Sequence, residues 1–349
     1  MSHSQPPSKS ITVLATLFAL SAFAGNSVLC RLALLPNSSL TESLPSDALG
    51  YAASISGPVQ AIDATSFTVL RLLSGSIALL VFMMFHSTSS KASKNLGSLK
   101  AWLAPFCLFI YAACFSFAYI TLPTGAGALI LFGCVQLTMI ISSIMAKEVL
   151  SLQKYFGVML AFLGLCLLMY FQSAPSAVGT HVTASDSLIT AAQSQQSQQT
   201  PSILIGFILM TISGVAWAVY TLLGRSSTDP ITDTCWNFVK SLPFCAALCL
   251  MYLVSSASIS AYGVSLALLS GIVTSAMGYA VWYYVLPQLS RIQAGVIQLL
   301  VPVIAAIGGF IWAQEAITLS LAVSQIMVLG GIALVIFNVN RRASSRHSK

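Results

Sequence analysis

Ten runs of about 20 apolar residues dominate the chain, at approximately 11–34, 62–85, 101–121, 124–146, 153–172, 201–224, 234–255, 261–286, 290–313 and 318–338. A run of this length crosses a bilayer as an α-helix, because hydrocarbon offers backbone amides no partner outside their own segment. One aqueous core could not hide so many such runs. Composition agrees, with 57% of residues apolar and 7% charged, against roughly a quarter charged in soluble domains. The expectation is an all-α membrane protein with ten transmembrane helices. The first run imitates a cleavable signal, with Lys9 ahead of the apolar stretch and Ala22-Phe23-Ala24 before Gly25. It continues to Leu35, longer than a usual signal, and is read as a span.

The chain is also written twice. "AKEVLSLQKYFGVMLAFLGLCLL" from Ala146 returns 167 residues later as "AQEAITLSLAVSQIMVLGGIALV" from Ala313, setting Glu148 on Glu315, Ser151 on Thr318 and Gly164 on Gly331. Upstream, "AYITLP" falls on "WYYVLP", and a shift of 169 sets Phe67 on Trp236 and Arg71 on Lys240. Each copy holds five spans, an odd number, so the second must enter the membrane upside down. The predicted organisation is two inverted five-helix repeats, 11–173 and 201–339, with a cytoplasmic N-terminus 1–10 and a basic cytoplasmic tail 340–349. The polar, low-complexity stretch 174–200 is expected to be an unordered extracytoplasmic linker. Inverted repeats create two nearly equivalent conformations, one open to each side, around a site near the bilayer midplane. Ser151 and Thr318 can cap the last helix of each half, Pro123 and Pro287 punctuate the turns before spans four and nine, and Gly157, Gly164, Gly330 and Gly331 allow spans five and ten close approach.

The net charge of +7 suggests nucleic acid until its distribution is examined. With the N-terminus in the cytoplasm, 12 of 15 basic residues fall on that face and none in the opposite loops. This is the positive-inside pattern of a multi-pass protein of a bacterial inner membrane with both termini cytoplasmic, and no nucleic-acid partner is expected. No C-x-x-C pair occurs among eight cysteines, and His3, His86, His181 and His347 lie outside or at the edges of spans. No zinc ligand set, P-loop or metalloprotease motif is readable.

In "GNSVLCRLAL", "DATSFTVLRLLSGSIALL", "TGAGALILFGCVQLTMIISSIMAKEVLS" and "GYAVWYYVLPQLSRIQAGVIQLLVPVIAAIGGFIWAQEAIT" the chain resembles the EamA-type transporters of the drug/metabolite transporter superfamily. That resemblance implies ten helices in two inverted halves, a central cavity lined by the first, third and fourth helices of each half, and export of small metabolites such as amino acids or related compounds. Two positions depart from the pattern: Val135 stands where the second half has Pro302, and Ala24-Gly25 where Trp-Gly often opens the first helix.

Polar groups inside spans are expensive and need a reason. Arg71 and Lys240 occupy matching depths in the two halves and could receive an anionic group alternately; equally, they could snorkel or pair with Asp63 and Asp233. Arg31, at the outer end of span one, is placed to snorkel. Gln136, Gln298 and Asn26 could bind substrate or hold helices together. Among the aromatics, Tyr119, Trp217, Tyr279 and Trp282 are cavity candidates. Glu148 and Glu315 stand at the ends of spans four and nine, as solvated turns or as gates. No acidic residue lies at mid-membrane for a proton relay.

The resulting expectation is a secondary transporter that moves a small organic molecule by alternating access, with the lipid bilayer as its surroundings and no bound cofactor or metal. A homodimer stays open. A channel would need a filter or rings of like groups, and a membrane-embedded enzyme a reactive constellation; neither is readable, and both stand as alternatives.

Overall fold

The structure, a computed structural model, describes residues 9–35, 62–85, 100–145, 152–173, 186–224, 227, 229–252, 259–285 and 297–346. Helices occupy each stretch marked as a span: α1 (Lys9–Leu34), α2 (Ala64–Phe85), α3 (Lys100–Ala118), α4 (Thr124–Met145), α5 (Leu152–Ser173), α6 (Asp186–Gly224), α7 (Pro230–Tyr252), α8 (Ala261–Val285), α9 (Leu300–Trp312) and α10 (Leu319–Arg346). No strand occurs among the described residues. Among the described residues, six helical segments are long and apolar enough to cross a membrane: Ser10–Leu34, Ala64–Phe85, Ala101–Ala118, Thr124–Ser142, Ile203–Gly224 and Ala261–Val285. Tyr155–Phe171, Leu300–Trp312 and Leu319–Leu334 are shorter apolar stretches. α7 opens on a polar face, with Thr232, Asp233, Thr234, Asn237 and Lys240 in its first turns.

The side chains are sorted as lipid requires. Leu14, Ile77, Phe162, Ile205 and Ile326 are exposed, while Asn26, Arg71, Gln136, Ser213, Ser270 and Ser275 are buried. A soluble bundle would do the opposite with its polar groups; here they face one another across the bundle, and the chain is a multi-pass integral membrane protein.

Local chemistry sets several helix ends. Asp63 accepts the Ser66 amide at 2.9 Å and so caps α2. Thr318 caps α10, accepting the Leu321 amide at 3.2 Å, as the sequence suggests. Its counterpart Ser151, together with Pro287 and Glu148, lies outside the described residues. α6 begins at Asp186, so 186–200, expected to be unordered, is helical. The stretch holds five glutamines and two alanines and no glycine.

The principal packing partners are α5 with α10, α2 with α7, α4 with α9, α3 with α6, α1 with α8, α4 with α6, α1 with α9, α2 with α8, and α3 with α7. The α5–α10 contact depends on small residues. A Cβ at Gly331 would lie 2.5 Å from the Gly157 carbonyl oxygen and 2.7 Å from the Ala161 nitrogen, and one at Gly164 would lie 2.9 Å from Met327 Cβ. Gly330 corrects the sequence reading, because a Cβ there meets nothing within 4 Å. It stands one residue, or about 100°, round the helix from Gly331 and so misses the contact.

Candidate functional site

Midway along the bundle, Phe23 and Asn26 of α1, Tyr111 and Phe115 of α3, Leu131 and Phe132 of α4, Trp217 of α6 and Tyr279 of α8 enclose a narrow pocket. Its free space holds about one water molecule. The wall is aromatic. Trp217 lies 4.7 Å from Tyr111 and 4.9 Å from Tyr279 between ring centroids, and Phe23 meets Tyr279 edge-on at 5.8 Å.

A polar network runs behind this wall and converges on the Tyr111 hydroxyl. Asn26 Nδ2 donates to it at 3.3 Å, Arg71 Nη2 at 3.0 Å and the Tyr279 hydroxyl at 3.4 Å. Asn26 Oδ1 accepts from Ser270 Oγ at 2.6 Å and Thr274 Oγ1 at 3.3 Å. Arg71 Nε donates to Ser275 Oγ at 3.0 Å. Ser213 of α6 donates to the Tyr111 carbonyl at 2.9 Å, fixing the α3 backbone beside the hub.

Ser270, Thr274 and Ser275 share a special stretch of α8. The helix is α over Ala261–Leu269, π over Ser270–Met277 and α again over Gly278–Val285. A π segment widens the turn and re-aims side chains, and such segments occur often at functional sites. Here all three hydroxyls reach partners on α1 or α2. A Cβ at Gly271 would overlap Ser74 Oγ and the Arg71 carbonyl, so only glycine lets α8 come this close to α2.

Arg71 is 1% exposed. Its Cζ lies 5.2 Å from the Tyr111 ring centroid and 5.0 Å from that of Phe115, and Nη1 has no hydrogen-bond partner. This overturns the snorkelling alternative for Arg71, and Asp63 is engaged as the cap of α2 and not with Arg71. Burial in the centre of the bundle leaves the side chain no path to the interface. Lys240 is half-buried in α7 and does not line the pocket. Asp233, its suggested partner, accepts from Ser227 Oγ instead at 2.5 Å.

Of the other sequence candidates, Asn26, Trp217 and Tyr279 line the pocket. Trp282 sits one layer away, its ring 5.7 Å from Phe23. Tyr119 stacks edge-on against Phe115 at 4.8 Å on the far side of the wall and donates to the Thr124 carbonyl at 3.3 Å. Gln136 is buried in α4 and Gln298 is half-buried just before α9, neither among the lining residues. Reading the sequence misses the serines and threonine of α8 because Ser and Thr in apolar helices commonly bond their own backbone, as Thr274 does to Ser270. The signal available was their clustering, three hydroxyls within six residues of an apolar span.

At one end of the bundle, Arg31 Nε donates to Glu315 Oε1 at 2.9 Å. Arg31 does not snorkel, since Nη1 donates to the carbonyls of Tyr119 at 2.8 Å and Ile120 at 3.1 Å. Glu315 Oε2 accepts the Thr124 amide at 2.6 Å, at the N-terminus of α4. Gln314, at φ 53°, turns the chain in the left-handed region, and the Glu315 amide closes back on the Gly309 carbonyl at 3.1 Å.

Comparison with known proteins agrees with this architecture. The EamA-like transporter family matches residues 204–337. An uncharacterized protein of Pseudomonas aeruginosa is 37% identical over 325 residues, 93% of this chain and 94% of its own. An uncharacterized transporter of Archaeoglobus fulgidus is 26% identical over 243 residues, 67% of this chain and 75% of its own. One solved crystal structure shares the fold, with a TM-score of 0.55 at 17% identity, covering 94% of this chain and 98% of that one. The chain belongs to the EamA-like transporter family, within the drug/metabolite transporter superfamily. It is a membrane transporter.

Proposed function

We propose that this transporter exports a small organic metabolite by alternating access, using ten transmembrane helices arranged as two inverted five-helix halves in a bacterial inner membrane. One observation carries the reading. Exchanging each helix of the first half for its counterpart in the second (α1 with α6, α2 with α7, α3 with α8, α4 with α9, α5 with α10) maps the principal helix pairings onto themselves. Thus α3–α6 becomes α8–α1, α4–α6 becomes α9–α1, and α2–α8 becomes α7–α3, while the remaining pairs are self-matching. Two halves packed in this way around one pocket can exchange roles, and the exchange reverses the side to which the pocket opens.

The proposed alternation of helix directions has its own support. With both termini cytoplasmic, the end of α1, the α3–α4 turn and the end of α9 all fall on the outer face, and Arg31, Tyr119, Thr124 and Glu315 from these segments are mutually bonded. The outer end is then closed, and the tight aromatic pocket corresponds to an occluded chamber. Purified protein in liposomes tests the reading with a panel of labelled amino acids, organic acids and amines. Saturable uptake accelerated by the same solute on the opposite side supports alternation; flux that rises linearly without counterflow supports a pore and rejects it.

A further inference from the structure

A guanidinium buried without an acidic partner is strongly unfavourable, and among the described residues Arg71 has none. Its two bonded nitrogens meet only neutral hydroxyls, those of Ser275 and Tyr111, and Nη1 meets nothing. The ring faces of Tyr111 and Phe115 offset part of the charge. The one ion pair among the described residues, Arg31 with Glu315, is at the end of the bundle. A charge retained under these conditions calls for a counter-charge that comes and goes.

The adjoining pocket limits what carries that counter-charge. Its lining is aromatic and aliphatic except for Asn26, whose carbonyl oxygen already accepts from Ser270 and Thr274. Arg71 does not itself line the pocket but stands one ring behind it, against Tyr111 and Phe115, so a cation for an anionic head lies next to flat rings for the body, and no lining carboxylate awaits an ammonium group. We infer that Arg71 is the receptor for the carboxylate of a small organic acid whose planar or apolar body lies among Phe23, Trp217 and Tyr279, and that this acid is the transported substrate; the second half of the inference rests on the transport reading above. Entry of such a molecule must part the rings, since the pocket holds about one water. The π stretch of α8 is where that movement is registered, because Ser275 holds Arg71 and Ser270 holds Asn26.

The test uses full-length protein in nanodiscs with four probes at matched ionic strength: benzoate, benzamide, benzylamine and chloride. Benzoate is expected to raise the melting temperature in a saturable way. Benzamide, which keeps the ring and loses the charge, is expected to bind at least about tenfold more weakly, the loss of roughly one charge-assisted hydrogen bond. Benzylamine and chloride should leave the melting temperature unchanged. Arg71→Gln should abolish the benzoate shift, and Arg71→Lys, which keeps the charge and loses the fork, should retain a weaker one. Equal binding of benzoate and benzamide, a chloride shift matching that of benzoate, or no benzoate shift in the native protein overturns the inference, and these readouts do not depend on any variant folding. Saturable exchange of a neutral or cationic solute in liposomes without benzoate binding overturns the carboxylate inference and leaves transport standing. Arg71-dependent benzoate binding with no saturable flux of any solute overturns transport and leaves the receptor standing.

Discussion

Glu315 ties three segments together at one end of the bundle through a single carboxylate, with Oε1 on Arg31 of α1 and Oε2 on the first amide of α4 at Thr124. Both partners of the ion pair are largely shielded, with 15% and 17% of their side-chain surface exposed. Arg31 extends the tie to the chain after α3 through the Tyr119 and Ile120 carbonyls. Anchored at three backbone groups beyond their own ion pair, the carboxylate and guanidinium form a latch.

Opening that end must break the latch, so Glu315→Gln should favour the open state. The substitution preserves shape and one acceptor while removing the charge, a loss of about 1–3 kcal/mol. A shift of that size changes a two-state population by about 5- to 150-fold. The check is the rate at which a membrane-impermeant maleimide labels Leu131→Cys, which lines the pocket, in a protein freed of its native cysteines. Faster labelling from the outside is expected; an unchanged rate means that the pair does not control access.

The α5–α10 seam gives a stability prediction with its own control. Gly331→Ala forces a methyl against the Gly157 carbonyl and the Ala161 nitrogen, and backbone cannot move aside as a side-chain tip can. The cost should be about 1–3 kcal/mol, as for other overpacked sites. Gly330→Ala, one residue earlier and facing open space, should be neutral. Thermal unfolding in detergent should separate the two variants; similar melting temperatures would show that the seam relaxes.

How far the sequence discloses this molecule depends on the reach of each signal. Helix positions follow from apolar run length alone, which is why α1, α2 and α4 begin and end within a few residues of their expected bounds. The duplication indicates which residues correspond, and Gly164 of α5 and Gly331 of α10 do each meet the other's helix. Correspondence is not contact, however. Arg71 and Lys240 align in sequence, yet Arg71 is fully buried against Tyr111 and Lys240 is half-buried away from the pocket. The hub at Tyr111 gathers groups from α1, α2 and α8, and no periodicity within one helix reports a meeting of three. The π stretch is likewise set by tertiary bonds of Ser270 and Ser275 and leaves no mark in local propensity. The tie between Arg31 and Glu315 spans 284 residues, beyond anything spacing could disclose.

The unequal burial of the two cations predicts unequal roles. Lys240→Gln removes a half-buried charge that does not line the pocket, and ligand affinity should change by less than about threefold, within the scatter of ordinary surface substitutions. Arg71→Gln should lose affinity by about tenfold or more, the cost of one charge-assisted hydrogen bond. Equilibrium binding of labelled benzoate to both variants decides. Equal losses would return Lys240 to the site as a symmetric partner of Arg71.

Tyr111→Phe isolates the hub from the wall. The ring stays to pack against Trp217 and Arg71, but Asn26 Nδ2, Arg71 Nη2 and the Tyr279 hydroxyl lose their acceptor. Three buried donors lose this acceptor, and a buried donor left without a partner costs about 1–3 kcal/mol, so the melting temperature should fall in the absence of ligand. The same change frees a second nitrogen of Arg71, and a bound carboxylate could then engage both terminal nitrogens as a bidentate pair. Benzoate should therefore restore more of the lost stability in Tyr111→Phe than it adds to the native protein, measured as the difference in melting temperature with and without saturating ligand. An equal or smaller benzoate increment in the variant would mean that Tyr111 orients Arg71 for the ligand and does not compete with it.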